Sequence, residues 1–215
     1  MFHHAIDLDP DFALAWAGYA DCFSLLIMYE DPIESYREEA RQASKRAVEL
    51  EPNLAEAHAS RGLAFLISEE YEAAEIDFNQ ALELNPRLFQ AYYYYGRTRF
   101  HQGRLEAAAE LFRKAADVEP ADYQSRCLRA QILRGTGRVD EAVGQARDAV
   151  RVLEKHLEWN PDDARALHLG AGSLLILGKR ERAKAWLKRA VEMKPDDSVL
   201  LYNVACHFAT LGERR

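Results

Sequence analysis

Apolar residues along this chain fall at helical spacing in paired segments, and the pairs repeat. Six prolines, Pro10, Pro52, Pro86, Pro120, Pro161 and Pro195, are separated by 42, 34, 34, 41 and 34 residues. They follow similar phrases, among them Ala-Ile-Asp-Leu-Asp-Pro at 5–10, Ala-Val-Glu-Leu-Glu-Pro at 47–52, Ala-Leu-Glu-Leu-Asn-Pro at 81–86 and Ala-Val-Glu-Met-Lys-Pro at 190–195. Counting from three residues after each proline, position eight is small throughout: Ala20, Gly62, Gly96, Ala130, Ala171 and Ala205. Position twenty is Ala74, Ala108, Ala142 or Ala183, and position twenty-seven is Ala81, Ala115, Ala149 or Ala190. Large residues recur at position eleven (Phe23, Phe65, Leu133, Leu174, Phe208) and at position twenty-four (Phe78, Phe112, Leu187). Two antiparallel helices approach closely only where one side is small, and bulky neighbours then fill the holes. The pattern predicts a stack of helical hairpins and no strand.

The arrangement of small and large positions resembles the tetratricopeptide repeat family, residue by residue in 55–88, 89–122 and 164–197, which keep a period of 34. The family's tryptophan is present once, as Trp16, followed by Tyr19, Ala20 and Phe23. The resemblance implies an all-α fold: an α-solenoid, or right-handed superhelix, of antiparallel helix-turn-helix hairpins. On this reading 1–215 is a single array. Residues 1–12 are the tail of a preceding repeat. Repeats span 13–54, 55–88, 89–122, 123–163 and 164–197, and 198–215 is the first helix of a truncated repeat.

Two repeats are longer than 34. In 13–54 the apolar pattern runs to about Tyr29, and Asp31-Pro32 reads as the start of the second helix. In 123–163 the turn Gly135-Thr136-Gly137 keeps its place, and the second helix continues through Ala146, Val150, Leu153 and Leu157 to Trp159. Seven or eight added residues match two helical turns, about 7.2 residues, and so lengthen a helix without rotating its buried face. The chain begins inside one hairpin and stops just after Gly212, inside another, so it reads as a piece excised from a longer protein. Leu201, Val204 and Phe208 would then lie uncovered, and weak self-association through the open repeat ends is expected.

Composition narrows the function. A net charge of −7 and a pI near 5.6 argue against direct nucleic-acid binding, which draws on Lys and Arg. No apolar run reaches membrane-spanning length, and no signal peptide is evident. Cys22, Cys127 and Cys206 are widely spaced and form neither a disulfide framework nor a zinc motif, which favours a reducing, cytoplasmic setting. The seven histidines form no metal-ligand pairing, and no cofactor motif or nucleophile–base arrangement stands out. The chain is therefore expected to bind rather than to catalyse, with neither metal nor cofactor.

In the tetratricopeptide family, positions two, five, nine and twelve of the first helices line a concave groove. The resemblance thus assigns the partner-binding groove to Gln90, Tyr93, Tyr94, Arg97, Gln124, Gln131, Arg134, Arg165, His168 and Tyr202. Within the run Tyr92–Tyr95, Tyr92 and Tyr95 take packing positions, Tyr93 is the main groove candidate and Tyr94 borders the next hairpin. Arg126 and Arg129 stand where large packing residues are usual, and a local structural role is favoured for them over groove charge. Glu72 and Glu75 read as outer-surface residues.

The groove expected from these positions is polar, aromatic and somewhat basic, suited to a protein or peptide partner with an acidic segment. A carboxylate-clamping use is disfavoured because Ala17 and Asp21 stand at two of the clamp positions. No asparagine ladder runs along position six, where Gly18, Ser60, Tyr94, Leu128, Leu169 and Asn203 stand. The alternative is a regulatory segment of a larger signalling enzyme or transcription regulator, because phrases such as Leu-Asp-Pro-Asp-Phe-Ala-Leu-Ala-Trp-Ala-Gly resemble arrays appended to bacterial signalling proteins.

Overall fold

The computed structural model describes residues 1–30 and 33–210. Among these it contains twelve α-helices and no strand: α1 (Phe2–Leu8), α2 (Ala13–Tyr29), α3 (Glu34–Leu50), α4 (Ala55–Ile67), α5 (Tyr71–Leu84), α6 (Phe89–His101), α7 (Leu105–Val118), α8 (Gln124–Gly135), α9 (Val139–Trp159), α10 (Ala164–Ile176), α11 (Arg180–Met193) and α12 (Ser198–Thr210). The chain forms two compact units, 1–111 and 112–215. The expected helix start at Asp31-Pro32 and the terminal Gly212 lie outside the described residues.

The recurrent proline follows directly on the residue that ends a second helix. Asp9, Glu51, Asn85, Asn160 and Lys194 cap α1, α3, α5, α9 and α11, and Pro10, Pro52, Pro86, Pro161 and Pro195 come next. A proline there cannot continue the helix, because it lacks the N–H and its ring collides with the preceding turn. The turns inside four of the hairpins use a left-handed residue at one fixed place: Gly103 (φ 73°), Gly137 (φ 81°) and Gly178 (φ 71°), with Glu69 (φ 61°) in the fourth. Glycine takes that conformation without a Cβ penalty, whereas Glu69 does not.

The small-to-large packing is direct. A Cβ added to Gly62 would lie 2.8 Å from the Phe78 ring, and one on Gly170 would lie 2.4 Å from Trp186. In 1–111, Leu63, Ala74, Phe78, Ala81 and Ala91 form one buried cluster with Tyr95. In 112–215, Leu167, Ala171, Leu174, Ala183 and Leu187 form another, joined by Leu200 and Val204 of α12. Val204, expected to be uncovered, is therefore buried: α12 packs on both α10 and α11. Leu201 and Tyr202 of the same helix are exposed, and so is Ala205.

The two long hairpins absorb their added residues differently. The second helix of the later one, α9, has 21 residues against 14 in α5, so two turns enter a single helix. In the earlier one, both α2 and α3 have 17 residues, against 13 in α4 and 14 in α5. The expected single two-turn extension is thus corrected to about one turn in each helix. Either division preserves the buried face, because each increment is close to a whole number of 3.6-residue turns.

Candidate partner-binding groove

Within each unit the first helices of successive hairpins pack side by side: α2 on α4 and α4 on α6 in the first, α8 on α10 and α10 on α12 in the second. Each trio presents one face composed of positions two, five, nine and twelve, since residues three or four apart share a helix side.

In 1–111 this face includes Gln90, Tyr93, Tyr94 and Arg97 of α6. Gln90 is exposed. Tyr93 is only 3% exposed, its ring stacked on Phe89 (5.7 Å between centroids) and edge-on to Tyr94 (5.1 Å). The open contact residue expected at Tyr93 is instead an interior one, because its ring gains more from aromatic neighbours than from water. Tyr95 is buried as expected, while Tyr92 and Tyr94 are half-buried. Burial raises the Tyr94 hydroxyl pKa, helped by the nearby oxygens of Tyr29, Asp21 and Tyr93 and opposed by Arg97.

Arg97 Nη1 donates to Tyr29 Oη at 2.9 Å, and its guanidinium lies 5.6 Å from the Tyr29 ring centroid. Tyr29 is the last residue of α2. The added turn of α2 therefore carries a side chain across to α6, two hairpins further on. Sequence reasoning placed Arg97 on the groove but did not see this partner, because the pairing spans 68 residues.

In 112–215 the face holds Gln124, Gln131 and Arg134 of α8, Arg165 and His168 of α10, and Tyr202 of α12. Arg165 Nε donates to Gln124 Oε1 at 2.9 Å. A Cβ on Gly172 would lie 2.9 Å from both Gln131 Nε2 and His207 Cε1, so side chains from α8 and α12 converge over that glycine. Arg134 is exposed, and Tyr202 is 72% exposed. His168 is buried, and burial, seconded by Arg165 and His207, lowers its pKa to about 4. It is neutral at pH 7 and adds nothing to a basic groove.

Arg126 and Arg129 take local roles. Arg126 donates to Asp122 O (2.5 Å) and Ala116 O (3.2 Å), closing the carbonyl end of α7, and Arg129 donates to Gln145 Oε1. The extension of α9 brings His156 against Tyr123 (4.8 Å between rings), and both contact Asp163 Oδ2, at 2.8 and 2.9 Å. Burial tends to raise the Asp163 carboxyl, but hydrogen bonds from Ala166 N, His156 and Tyr123 bring it below its ordinary value.

Glu75 is a correction. It is mostly buried and forms an ion pair with Arg99 at 2.6 Å, tying α5 to α6, so it does not mark the outer surface. Among the described residues no group of three or more His, Cys, Asp or Glu could hold a metal ion, and no helix is long and apolar enough to cross a membrane.

Sequence profiles of the tetratricopeptide repeat match residues 55–88, 77–122, 96–151 and 142–202. This chain belongs to the tetratricopeptide repeat family, and its repeats define a protein-interaction scaffold. Similar solved structures include YrrB, a TPR protein with an unusual peptide-binding site (22% identity, TM-score 0.53, covering 94% of this chain and 96% of that one). They also include MamA from Desulfovibrio magneticus RS-1 (17% identity, TM-score 0.55, 85% and 97% covered) and the APC/C hetero-tetramer Cut9–Hcn1 (15% identity, TM-score 0.72, 98% and 39% covered). At these identities the likeness is one of fold. The sequence has no match among curated proteins.

Proposed function

We propose that the chain holds an extended peptide or a partner protein on the face built by its first helices, with the hairpins acting as one cytoplasmic array. The supporting observation is the surface of α8, α10 and α12, where Gln124, Gln131, Arg134, Arg165 and the exposed Tyr202 gather hydrogen-bonding groups beside an aromatic ring. Tyr and Arg are over-represented where binding energy concentrates. YrrB, of the same fold, is a TPR protein with a peptide-binding site. Arg134 and Arg165 favour an acidic segment on this part of the face, so binding there weakens as salt rises. Exposed Val199, Leu201 and Tyr202 on α12 offer a surface for weak self-association.

The test is selection from a random peptide library with wild type, Arg134→Glu/Tyr202→Ala, and the surface control Glu72→Lys/Glu83→Lys. All four substituted side chains are exposed, so melting should change little. The first variant should lose acidic peptides while the control keeps them. Retention by the first variant and loss by the control would move the site to the other face.

A further inference from the structure

In the first unit, buried Asp77 and half-buried Asp21 are in opposite situations. Asp77 of α5 is fully matched: Arg61 donates to both its oxygens at 2.7 Å, and His58 Nδ1 lies 2.9 Å from Oδ1. Asp21 of α2 forms no ion pair among the described residues, and its Oδ1 is shielded from water without a hydrogen-bond partner. Ser60 of α4 donates its hydroxyl to the carboxylate. Burial accordingly lifts the Asp21 carboxyl to about 6.

Asp21 Oδ1 is not alone in lacking a partner. Ser24 Oγ, one turn further along α2 and fully buried, has none either. Residues three apart share a helix face, so a shielded carboxylate oxygen and a shielded hydroxyl, neither with a partner, lie on one side of α2. Tyr94 lies close enough for the Asp21 charge to affect its hydroxyl, and the Tyr93 ring stands edge-on to Tyr94. Asp21 is at position nine and Ser24 at position twelve, both on the proposed binding face. Buried polar groups without partners are rare and call for an explanation, and an uncompensated carboxylate costs more than a neutral group.

We infer that Asp21 and Ser24, with Ser60 and Tyr94 beside them, receive a cationic side chain, the ammonium of a lysine or the guanidinium of an arginine, from a peptide held on this face. A lysine ammonium brings three donors and no acceptor, and a guanidinium five. Either supplies the counter-charge that Asp21 lacks and a donor that the unpartnered Ser24 oxygen can accept, and the neighbouring tyrosine rings favour a cation further. This site rests on the reading that peptides bind the first-helix face, and it adds charge selection: a basic residue on α2–α4, whatever the acidic preference of the α8–α10–α12 surface.

Two measurements on the full chain separate the inference from the reading beneath it. The first is thermal unfolding with n-butylammonium or methylguanidinium chloride, against sodium and tetramethylammonium chloride at equal ionic strength. Wild type should show a saturable rise in melting temperature with the two donor cations only. The rise should vanish in Asp21→Asn, which keeps shape and removes charge, and weaken in Ser24→Ala. The second is the peptide-library selection repeated with Asp21→Asn. Peptides retained by wild type should carry Lys or Arg at one position, favoured by about tenfold, the scale of one charge-assisted hydrogen bond, and the preference should disappear in the variant. Donor cations no better than sodium, together with identical peptide preferences in wild type and variant, overturn the Asp21 site and leave the groove reading standing. Retention of no peptide by wild type overturns the groove reading, and the cation titration then decides Asp21 by itself.

Discussion

In residues 1–111 the first-helix face holds a carboxylate, Asp21, that forms no ion pair among the described residues. In residues 112–215 the corresponding face holds an imidazole, His168, that burial keeps uncharged. Asp21 is raised from an ordinary 3.8 to about 6, and His168 is lowered from 6.5 to about 4. Both shifts have burial as their main cause, yet their consequences are opposite, because burial penalises whichever form carries charge. One repeat pattern thus houses two ionisable groups that respond to acid in opposite directions. The position in the repeat sets where a side chain points, while the residue placed there sets the electrostatics.

The largest effect should come from the tight helix contacts that the two units share. Ala74 and Ala142 are both completely buried at position twenty. Ala74→Arg and Ala142→Arg should each cost at least about 3 kcal/mol, since a long cation cannot fit where two helices touch. Hydrogen exchange should show the greater loss of protection in the unit that carries the substitution, because a repeat contacts mainly its neighbours. Equal loss in both units would break the comparison by making them one cooperative body.

The opposed titrations come next. Asp21 has a folded pKa above its unfolded value, so the native state takes up its proton first. Its destabilising contribution is complete above pH 6 and is relieved as pH falls toward 4. His168 has a folded pKa below its unfolded value. Its cost is absent above about 6.5 and grows as pH falls toward 4, because the unfolded state then binds the proton more readily. Each shift of about two units corresponds to about 3 kcal/mol. Asp21→Asn should therefore stabilise the chain at pH 7 and lose that advantage by pH 4. His168→Gln should do the reverse, gaining on wild type only in acid. Melting temperatures of both variants and wild type from pH 4 to 8 check the signs. Parallel profiles for the two variants would remove the contrast.

The smallest effect concerns the hairpin turn. Glu69 in the first unit and Gly137 in the second occupy the same left-handed place. Glu69→Gly should stabilise by about 1 kcal/mol and Gly137→Ala should destabilise by a similar amount. Denaturant midpoints at unchanged slope would measure both. The same sign for the two substitutions would show that the turns are not equivalent.

Much of the architecture was legible from residues alone. The proline register and the small residues at positions eight and twenty specify hairpins and their contacts, because helix ends and close approaches are local or nearest-neighbour constraints. The seven-residue lengthening of α9 could be read for the same reason, as the apolar spacing continues unbroken to Leu157. The candidate face was legible as a set of positions, and Gln90, Arg134 and Tyr202 are indeed open on it. Whether Tyr93 and His168 were open or buried was not, since exposure depends on which rings and helices arrive beside them.

Partners distant in sequence were beyond reach as well. Nothing near Arg97 in the chain announces Tyr29, and nothing near Glu75 announces Arg99. Asp21 shows the division most clearly. Its identity and its repeat position are plain in the sequence, and they disfavour a carboxylate clamp. That one of its oxygens is sealed from water with no donor follows only from the packing of α2 against α4, because desolvation belongs to a three-dimensional neighbourhood and not to a position in a repeat.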